Sequence, residues 1–158
     1  MGGGGGGGPS PKDIRRLEDL AKSKLRESES GRRNVFISFV NEDRQLVELL
    51  RGQAKKEDSA LDFNDWSLRE PFESERADYI RQGIRERIRQ ASITLVYLSD
   101  RAAGSKWVNW EIQESIKLGK KVVGVYQGQA PSRFPVAMKG HGIKIVPWSH
   151  EGIARELK

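Results

Sequence analysis

The sequence alternates short apolar runs with amphipathic segments, and this alternation limits the fold more than any other feature. The runs are rich in β-branched and aromatic residues, and 34–40 and 92–98 are apolar almost throughout. Such strands are typical of parallel sheets that are buried on both faces. Strands are predicted at residues 34–40, 61–64, 92–98, 121–126 and 143–146. With helical segments between them, they predict an α/β fold: a flavodoxin-like three-layer sandwich with a five-stranded parallel sheet.

The chain before the first strand has a different composition. Residues 2–8 are all glycine and are followed by Pro9-Ser10-Pro11, so residues 1–11 are predicted to form a flexible tail. Residues 12–28 carry apolar side chains at helical spacing and predict an N-terminal helix. Residues 33–158 are predicted to form the globular domain.

Composition argues against several classes of protein. The chain has no cysteine and two histidines, so we expect neither disulfides nor a metal site. The absence of cysteine also fits a cytoplasmic location, which we expect. We expect neither a secretory signal nor a membrane span, because no apolar run approaches 18 residues. The formal charge is +6, but the first 33 residues hold eight basic and five acidic residues and supply half of it. The remaining charge is a weak argument for nucleic-acid binding.

The segment 106–121 is predicted to be an amphipathic helix between two strands. Its buried face is predicted from the spacing of Val108, Ile112, Ser115, Ile116 and Gly119. Trp107 and Glu111 are four residues apart, so their side chains are expected on one face near the start of this helix. In open α/β sheets, ligands bind in this region, beyond the carboxyl ends of the strands.

Loops after the first four strands should therefore gather polar and aromatic side chains at one edge of the sheet. The set is Phe39, Asn41, Asp43, Asp65, Trp66, Ser99, Trp107 and Glu111. It offers aromatic faces, hydroxyl groups and a carboxylate that a substrate could reach, but no histidine or cysteine. Nucleophilic triads and metal-assisted hydrolysis are therefore not favoured.

Three common phosphate-binding designs do not fit. The turn after the first strand, residues 40–43, has no glycine, which a dinucleotide-binding Rossmann turn requires. The chain also contains no Gly-x-x-x-x-Gly-Lys-Ser/Thr loop. A phospho-receiver domain would need a lysine at the end of the fifth strand, where this chain has Pro147.

Five segments resemble a TIR-like domain, in particular the bacterial group that includes the TIR-like subunit of the Thoeris anti-phage system. The resemblance extends over roughly residues 33–148. The Trp-x-x-x-Glu pattern of residues 107–111 is weak evidence alone, but five segments in the right order are specific. They are Arg-Asn-Val-Phe-Ile-Ser-Phe (33–39), Phe-Asn-Asp-Trp-Ser (63–67), Ile-Arg-Gln-Gly-Ile-Arg-Glu-Arg-Ile (80–88), Thr-Leu-Val-Tyr-Leu-Ser (94–99) and Lys-Trp-Val-Asn-Trp-Glu-Ile (106–112).

This resemblance implies an enzyme that cleaves NAD at the bond between nicotinamide and ribose. The product would be ADP-ribose, or a cyclic or conjugated ADP-ribose messenger for a downstream effector protein in anti-phage immunity. Glu111 would be the catalytic residue, and NAD would be the substrate, with no cofactor and no metal. The substrate-binding candidates are Phe39, Asn41, Asp43, Asp65, Trp66, Ser99 and Trp107.

Two other functions remain open from the sequence. A non-catalytic TIR-like module would signal by self-association, with Glu111 an ordinary glutamate on a helix surface and Trp107 a packing residue. A nucleic-acid binder would rest on the net charge and on the arginines of residues 76–87, which we expect to form a solvated helix face. Of the partners considered, we favour NAD and self-association over nucleic acid.

Overall fold

The computed structural model describes residues 11–19, 33–56, 61–64, 72 and 74–157. Contacts divide the chain into two compact units, residues 1–32 and 33–158. In the first unit, residues 11–19 form helix α1, inside which Asp13 and Arg16 approach to 3.8 Å. The tail was predicted to include residues 1–11, but Pro11 belongs to α1. Residues 1–10 of that tail and residues 20–28 of the predicted helix lie outside the described residues.

A five-stranded, fully parallel sheet forms the centre of the second unit, as predicted. The strands are β1 (Arg33–Ser38), β2 (Leu61–Asn64), β3 (Ile93–Tyr97), β4 (Lys121–Tyr126) and β5 (Lys144–Pro147). Their order in the sheet is β2-β1-β3-β4-β5, the order found in flavodoxin-type sheets.

The strand ends differ slightly from the predictions, and the first strand matters most. β1 ends at Ser38 rather than at Val40. A 3₁₀ helix follows at Asn41–Asp43, and its Asp43 amide donates a 2.9 Å hydrogen bond to the Val40 carbonyl. The chain therefore leaves the sheet two residues earlier than its apolar character suggests, and Asn41–Asp43 lie at the carboxyl edge.

Five helices connect or follow the strands: α2 (Arg44–Lys56), α3 (Ala77–Gln90), α4 (Asp100–Ala103), α5 (Lys106–Lys117) and α6 (His150–Glu156). A second 3₁₀ helix spans Val136–Met138. The sequence predicts a loop after the third strand, at residues 99–105, and this is wrong for Asp100–Ala103, which form α4. The Ser99 side chain accepts a hydrogen bond from the Ala102 amide and caps this short helix. In the described part of the chain, no helix is long and apolar enough to cross a bilayer.

Helices cover both faces of the sheet, and the alternation of side chains along β1 decides which residues meet which helix. Val35, Ile37 and Phe39 pack in one core with residues of α2 and α6. Phe36 faces the opposite side and packs with α3, and Val40 packs there with α5. Ser38 shares that second side, which brings its hydroxyl towards α5.

The sequence of residues 75–90 predicts a helix with Tyr79, Ile80, Ile84 and Ile88 facing inward. Helix α3 packs on the sheet through the three isoleucines, as predicted. Tyr79, which was also expected to face inward, is 43% exposed. It precedes Ile80 by one position, and one residue rotates a helical side chain by about 100°. The inward prediction for Tyr79 was therefore wrong.

Candidate active site

Helix α5 holds Glu111 at the centre of the candidate site. The helix begins at Lys106, and the Ser105 side chain caps it by accepting a 3.1 Å hydrogen bond from the Val108 amide. Glu111 lies one turn beyond Trp107 and is fully buried. We expected a carboxylate that a substrate could reach, but the Glu111 carboxylate is enclosed in this conformation. The alternative prediction, a solvated glutamate on the helix surface, is wrong as well.

The Glu111 carboxylate is held by a serine from the end of β1. Ser38 Oγ donates a 2.6 Å hydrogen bond to Glu111 Oε1, and both residues are 0% exposed. Hydrogen bonds to carboxylates are short and about twice as strong as bonds between neutral groups. Ser38 therefore helps to hold the buried Glu111 carboxylate in place beside the carboxyl end of β1.

Ser38 was missed by the sequence analysis, although a signal was available. It is a polar residue in an almost continuously apolar strand, and buried polar side chains are nearly always hydrogen-bonded. The period-2 pattern puts it on the same face as Phe36 and Val40. Its partner could not be read from spacing, because Glu111 is 73 residues away in the chain.

Trp107 both packs against other aromatic rings and lines a groove. It is 8% exposed, with its ring centroid 5.0 Å from that of Phe72 and 6.0 Å from that of Trp110, each edge-on. The Arg81 guanidinium lies 4.3 Å from the Phe72 centroid and 5.6 Å from that of Trp107. These contacts connect α3, the segment before it and the first turn of α5.

A second arginine of α3 contacts a buried glutamate of α5. Arg85 Nη2 donates a 3.1 Å hydrogen bond to Glu114 Oε1, and its guanidinium lies 5.6 Å from the Trp110 centroid. Glu114 is 6% exposed. Arg81 and Arg85 are half-buried helix-packing residues, so the prediction of a solvated arginine face is wrong for these two.

An open groove of about 440 Å³ lies at the carboxyl end of β1. Its walls come from the turn after β1 and from the region where α4 leads into α5. The lining residues are Val40, Asn41, Glu42, Arg101, Gly104, Ser105 and Trp107. Two of the predicted substrate-binding residues, Asn41 and Trp107, thus face one groove, and Glu111 lies one helical turn beyond Trp107.

Two further candidates, Asp43 and Ser99, contact each other. Ser99 Oγ donates a 2.5 Å hydrogen bond to Asp43 Oδ2, and Arg101 Nη1 lies 4.0 Å from Asp43 Oδ1. Burial raises the pKa of the nearby Tyr97 hydroxyl, and the negative charge of Asp43 raises it further. The pair lies on elements that border the groove, but neither side chain lines it.

Of the three remaining candidates, only Phe39 is described, and it does not lie on the side of the sheet that carries Ser38 and Glu111. Phe39 is 1% exposed and packs with α2 and α6, on the opposite side of the sheet from Ser38. This follows from the alternation of side chains along β1, which the sequence analysis did not apply to the end of the strand. Asp65 and Trp66 lie outside the described residues.

No group of three or more histidine, cysteine, aspartate or glutamate side chains within the described residues could hold a metal ion. The chemistry that can be read from the site is that of the Glu111 carboxylate, to which Ser38 donates a hydrogen bond. It lies beside a groove whose lining includes Trp107, Arg101 and Glu42.

Comparison with known protein families finds a match over more than half of the chain. Residues 36–132 match the family described as "Thoeris protein ThsB, TIR-like domain". The matched range includes Ser38, Trp107 and Glu111. A search of curated proteins finds no match.

Several solved structures have a similar fold. A 2-deoxyribosyltransferase from Bacillus psychrosaccharolyticus aligns with a TM-score of 0.51 and 16% identity, covering 76% of this chain and 89% of that one. The TIR domains of the activated Roq1 resistosome align with a TM-score of 0.44 and 23% identity, covering 60% of this chain and 57% of that one. The CMP N-glycosidase BcmB of Clostridium botulinum aligns with a TM-score of 0.48 and 13% identity, covering 78% of this chain and 97% of that one. At such identities the likeness concerns the fold alone.

Proposed function

Because the chain belongs to the family of the Thoeris protein ThsB TIR-like domain, we propose that it cleaves NAD and releases nicotinamide in anti-phage defence. The single observation that carries this proposal is the carboxylate of Glu111, oriented by Ser38 beside the groove at the carboxyl end of β1. Family membership supports the reaction class, and the hydrogen bond supports the choice of residue.

The reaction needs few protein groups. The bond between ribose C1′ and the nicotinamide nitrogen breaks, and its electron pair leaves with nicotinamide, which departs as a neutral ring. Positive charge develops on the ribose as in glycoside cleavage, and one carboxylate can stabilise it. A general acid is not required, which agrees with a candidate site that has no histidine.

Water then attacks C1′ and loses a proton to give ADP-ribose. If a nucleophile within the ADP-ribose part or on a second molecule attacks instead, the product is cyclic or conjugated. Such a product would act as a nucleotide messenger for a downstream effector protein. Asn41 and Trp107 would contact the substrate in the groove, and Asp65 and Trp66 remain proposed contacts from the loop after β2.

Full burial of Glu111 adds a requirement for turnover. The ribose can reach the carboxylate only after the chain changes conformation around it. We propose that self-association supplies this change, so that the rate per molecule rises with protein concentration. A soluble cytoplasmic protein would then stay inactive at low concentration, which suits a defence enzyme that consumes a cellular dinucleotide.

The same burial also favours a second candidate function. A glutamate that is enclosed and hydrogen-bonded to a serine is what a purely structural residue would look like. In that case the domain signals by self-association and does not turn over NAD. The groove and Trp107 would then serve packing between copies or between helices.

One experiment separates the two functions. Purified protein is incubated with NAD over a hundredfold range of protein concentration, and released nicotinamide is measured alongside the oligomeric state. The enzyme proposal predicts release that Glu111→Gln abolishes and that rises more steeply than protein concentration. Self-association without nicotinamide release at any concentration, with or without a phage lysate, would support the scaffold function.

A further inference from the structure

A second groove lies at the opposite edge of the sheet, where β4 and β5 begin. We propose that this lysine groove binds the phosphate groups of a small phosphorylated molecule. It has a volume of about 480 Å³ and is formed by the turn after α5, the approach to β5 and the end of α6. Its lining residues are Ile116, Gly119, Lys120, Lys121, Val122, His141, Gly142, Ile143, Lys144 and Glu156.

The groove carries an excess of positive charge. Three lysines line it against one carboxylate, that of Glu156, so the formal charge of the lining is +2 with His141 neutral. A concave surface lined by charge of one sign concentrates the field and attracts ions of the opposite sign. The groove near Glu111, in contrast, is lined by one arginine and one glutamate.

Contacts to the protein hold the ammonium groups in place. Lys144 Nζ donates a 2.9 Å hydrogen bond to Glu156 Oε2, and Lys121 Nζ lies 3.4 Å from Glu156 Oε1. Lys121 Nζ also donates a 2.6 Å bond to the Glu156 carbonyl. Lys120 Nζ donates a 2.9 Å bond to the carbonyl of Arg89 at the end of α3. Binding an anion therefore costs less side-chain entropy than it would with free lysines.

Glu156 shows that this place accepts an oxyanion. The hydrogen bond from Lys144 is the main cause that lowers the pKa of Glu156, and Lys121 lowers it further. An ammonium group has three donors, so the bond from Lys144 to Glu156 leaves donors for a ligand. A phosphate can join the carboxylate or replace it, because it presents more acceptor oxygens and a greater negative charge.

Size and lining favour a small molecule over a nucleic acid. The volume falls within the range of about 300–1,000 Å³ that is typical of small-molecule sites. Ile116, Val122 and Ile143 supply an apolar surface for the rest of the ligand. Sites for single-stranded nucleic acid instead use aromatic side chains on which bases stack, and none lines this groove.

The two grooves lie at opposite edges of the sheet. Lys121 and Lys144 begin β4 and β5, whereas Ser38 ends β1, and all three strands are parallel. The lysine groove is therefore separate from the site proposed for NAD cleavage. Its ligand binding can be measured whether or not the protein turns over NAD.

The test is a titration of the full-length, ¹⁵N-labelled chain with inorganic pyrophosphate and with ADP, followed by NMR. The proposal predicts saturable shifts of the Gly119 and Gly142 amides, which line the groove, and no such shifts with adenosine. Absence of shifts at millimolar pyrophosphate in low salt would overturn it. Shifts confined to residues 40–42 and 101–107 would also overturn the proposal. So would tighter binding of oligonucleotides than of ADP at the residues of the lysine groove.

Variants test the lysines directly. Lys144→Gln is expected to weaken pyrophosphate binding by about tenfold, since it removes one charge-assisted contact. Its side chain is 62% exposed, so the fold should tolerate the change. Arg133→Gln, which removes an exposed cation outside the groove, is the charge-matched control. Equal weakening by both variants would mean unspecific attraction and would contradict the proposal.

Discussion

A hydroxyl and a carboxylate that are 73 residues apart in the chain meet at the centre of the proposed active site. Ser38 comes from the last position of β1, and Glu111 comes from the second turn of α5. Because both are fully buried, neither is oriented by solvent. The hydrogen bond between them therefore contributes to the direction in which the carboxylate points.

Ser38→Ala should lower the rate of nicotinamide release by about tenfold, because the carboxylate loses its fixed orientation. It should also lower the free energy of unfolding by about 1–2 kcal/mol, since a buried acceptor loses its donor. We would measure the turnover number, the KM for NAD and urea denaturation. A positioning role predicts that the turnover number falls more than the KM changes.

Ser115→Ala is the matched control for Ser38→Ala. Ser115 is equally buried, donates a 2.7 Å hydrogen bond to the Glu111 carbonyl and lies 2.9 Å from Thr94 Oγ1. Its loss should reduce stability by a similar amount without affecting the carboxylate. If both variants lower turnover in proportion to their lost stability, Ser38 has a structural role only.

From the raised pKa of Tyr97 we predict a specific loss of stability at alkaline pH. Burial, assisted by Asp43, raises the pKa of its hydroxyl in the folded chain. When folding raises the pKa of a group, the stability that the group contributes is complete at pH values below its pKa in the unfolded chain, which is about 10 for tyrosine. This contribution is lost as the pH rises through the pKa of the group in the folded chain. Denaturation of Tyr97→Phe between pH 9 and 11 should therefore show a shallower fall than wild type. The control Tyr79→Phe, which alters an exposed ring, should behave as wild type does.

At the scale of elements, the sequence predicted those parts of the fold that depend on local pattern. The strands at 61–64 and 121–126 have the predicted bounds. Residues 121–126 contain three valines, and such β-branched residues favour a strand without help from distant residues. The short helix α4 was missed, since four residues have no helical period and depend on the Ser99 cap. The placement of Phe39 was missed because it depends on which face of β1 meets α5.

The candidate site was predictable to the same extent. Trp107 and Glu111 share a helix, so their spacing in the sequence predicted that they lie on one face of it. The pattern of strands predicted the edge of the sheet at which the groove lies. The enclosure of Glu111 and its bond to Ser38 depend on packing between β1 and α5. Such contacts between distant segments leave little trace in a single sequence. The same reason explains why Arg81 and Arg85 looked like a solvated face.

The attachment of α3 to α5 predicts a difference between two arginines. Arg85→Met should lower the free energy of unfolding by about 2 kcal/mol, because Glu114, whose side chain is only 9% exposed, would lose its 3.1 Å partner and keep the more distant Lys117 at 4.0 Å. Arg51→Met breaks an ion pair with Glu48, which is 54% exposed, and should cost less than about 0.5 kcal/mol. Equal costs in chemical denaturation would show that the Arg85 contact adds no more than a surface pair.

At the scale of the whole molecule, the chain contains two compact units, and both grooves belong to residues 33–158. A shortened chain of residues 33–158 should unfold in one cooperative transition at the Tm of the full chain. Its rate of nicotinamide release at equal concentration tests whether residues 1–32 act in self-association. A lower Tm for the shortened chain would show that the first unit contributes to the stability of the second.

We propose that Glu111, and not the neighbouring buried Glu114, performs the chemistry. Glu114 lies three residues further along α5 and is buried as well, but it pairs with Arg85. The decisive measurement is therefore the turnover number for nicotinamide release by Glu111→Gln and by Glu114→Gln, with both variants checked for folding. We predict a loss of at least about a hundredfold for Glu111→Gln and wild-type turnover for folded Glu114→Gln. Equal nicotinamide release by Glu111→Gln and wild type would contradict the assignment of Glu111.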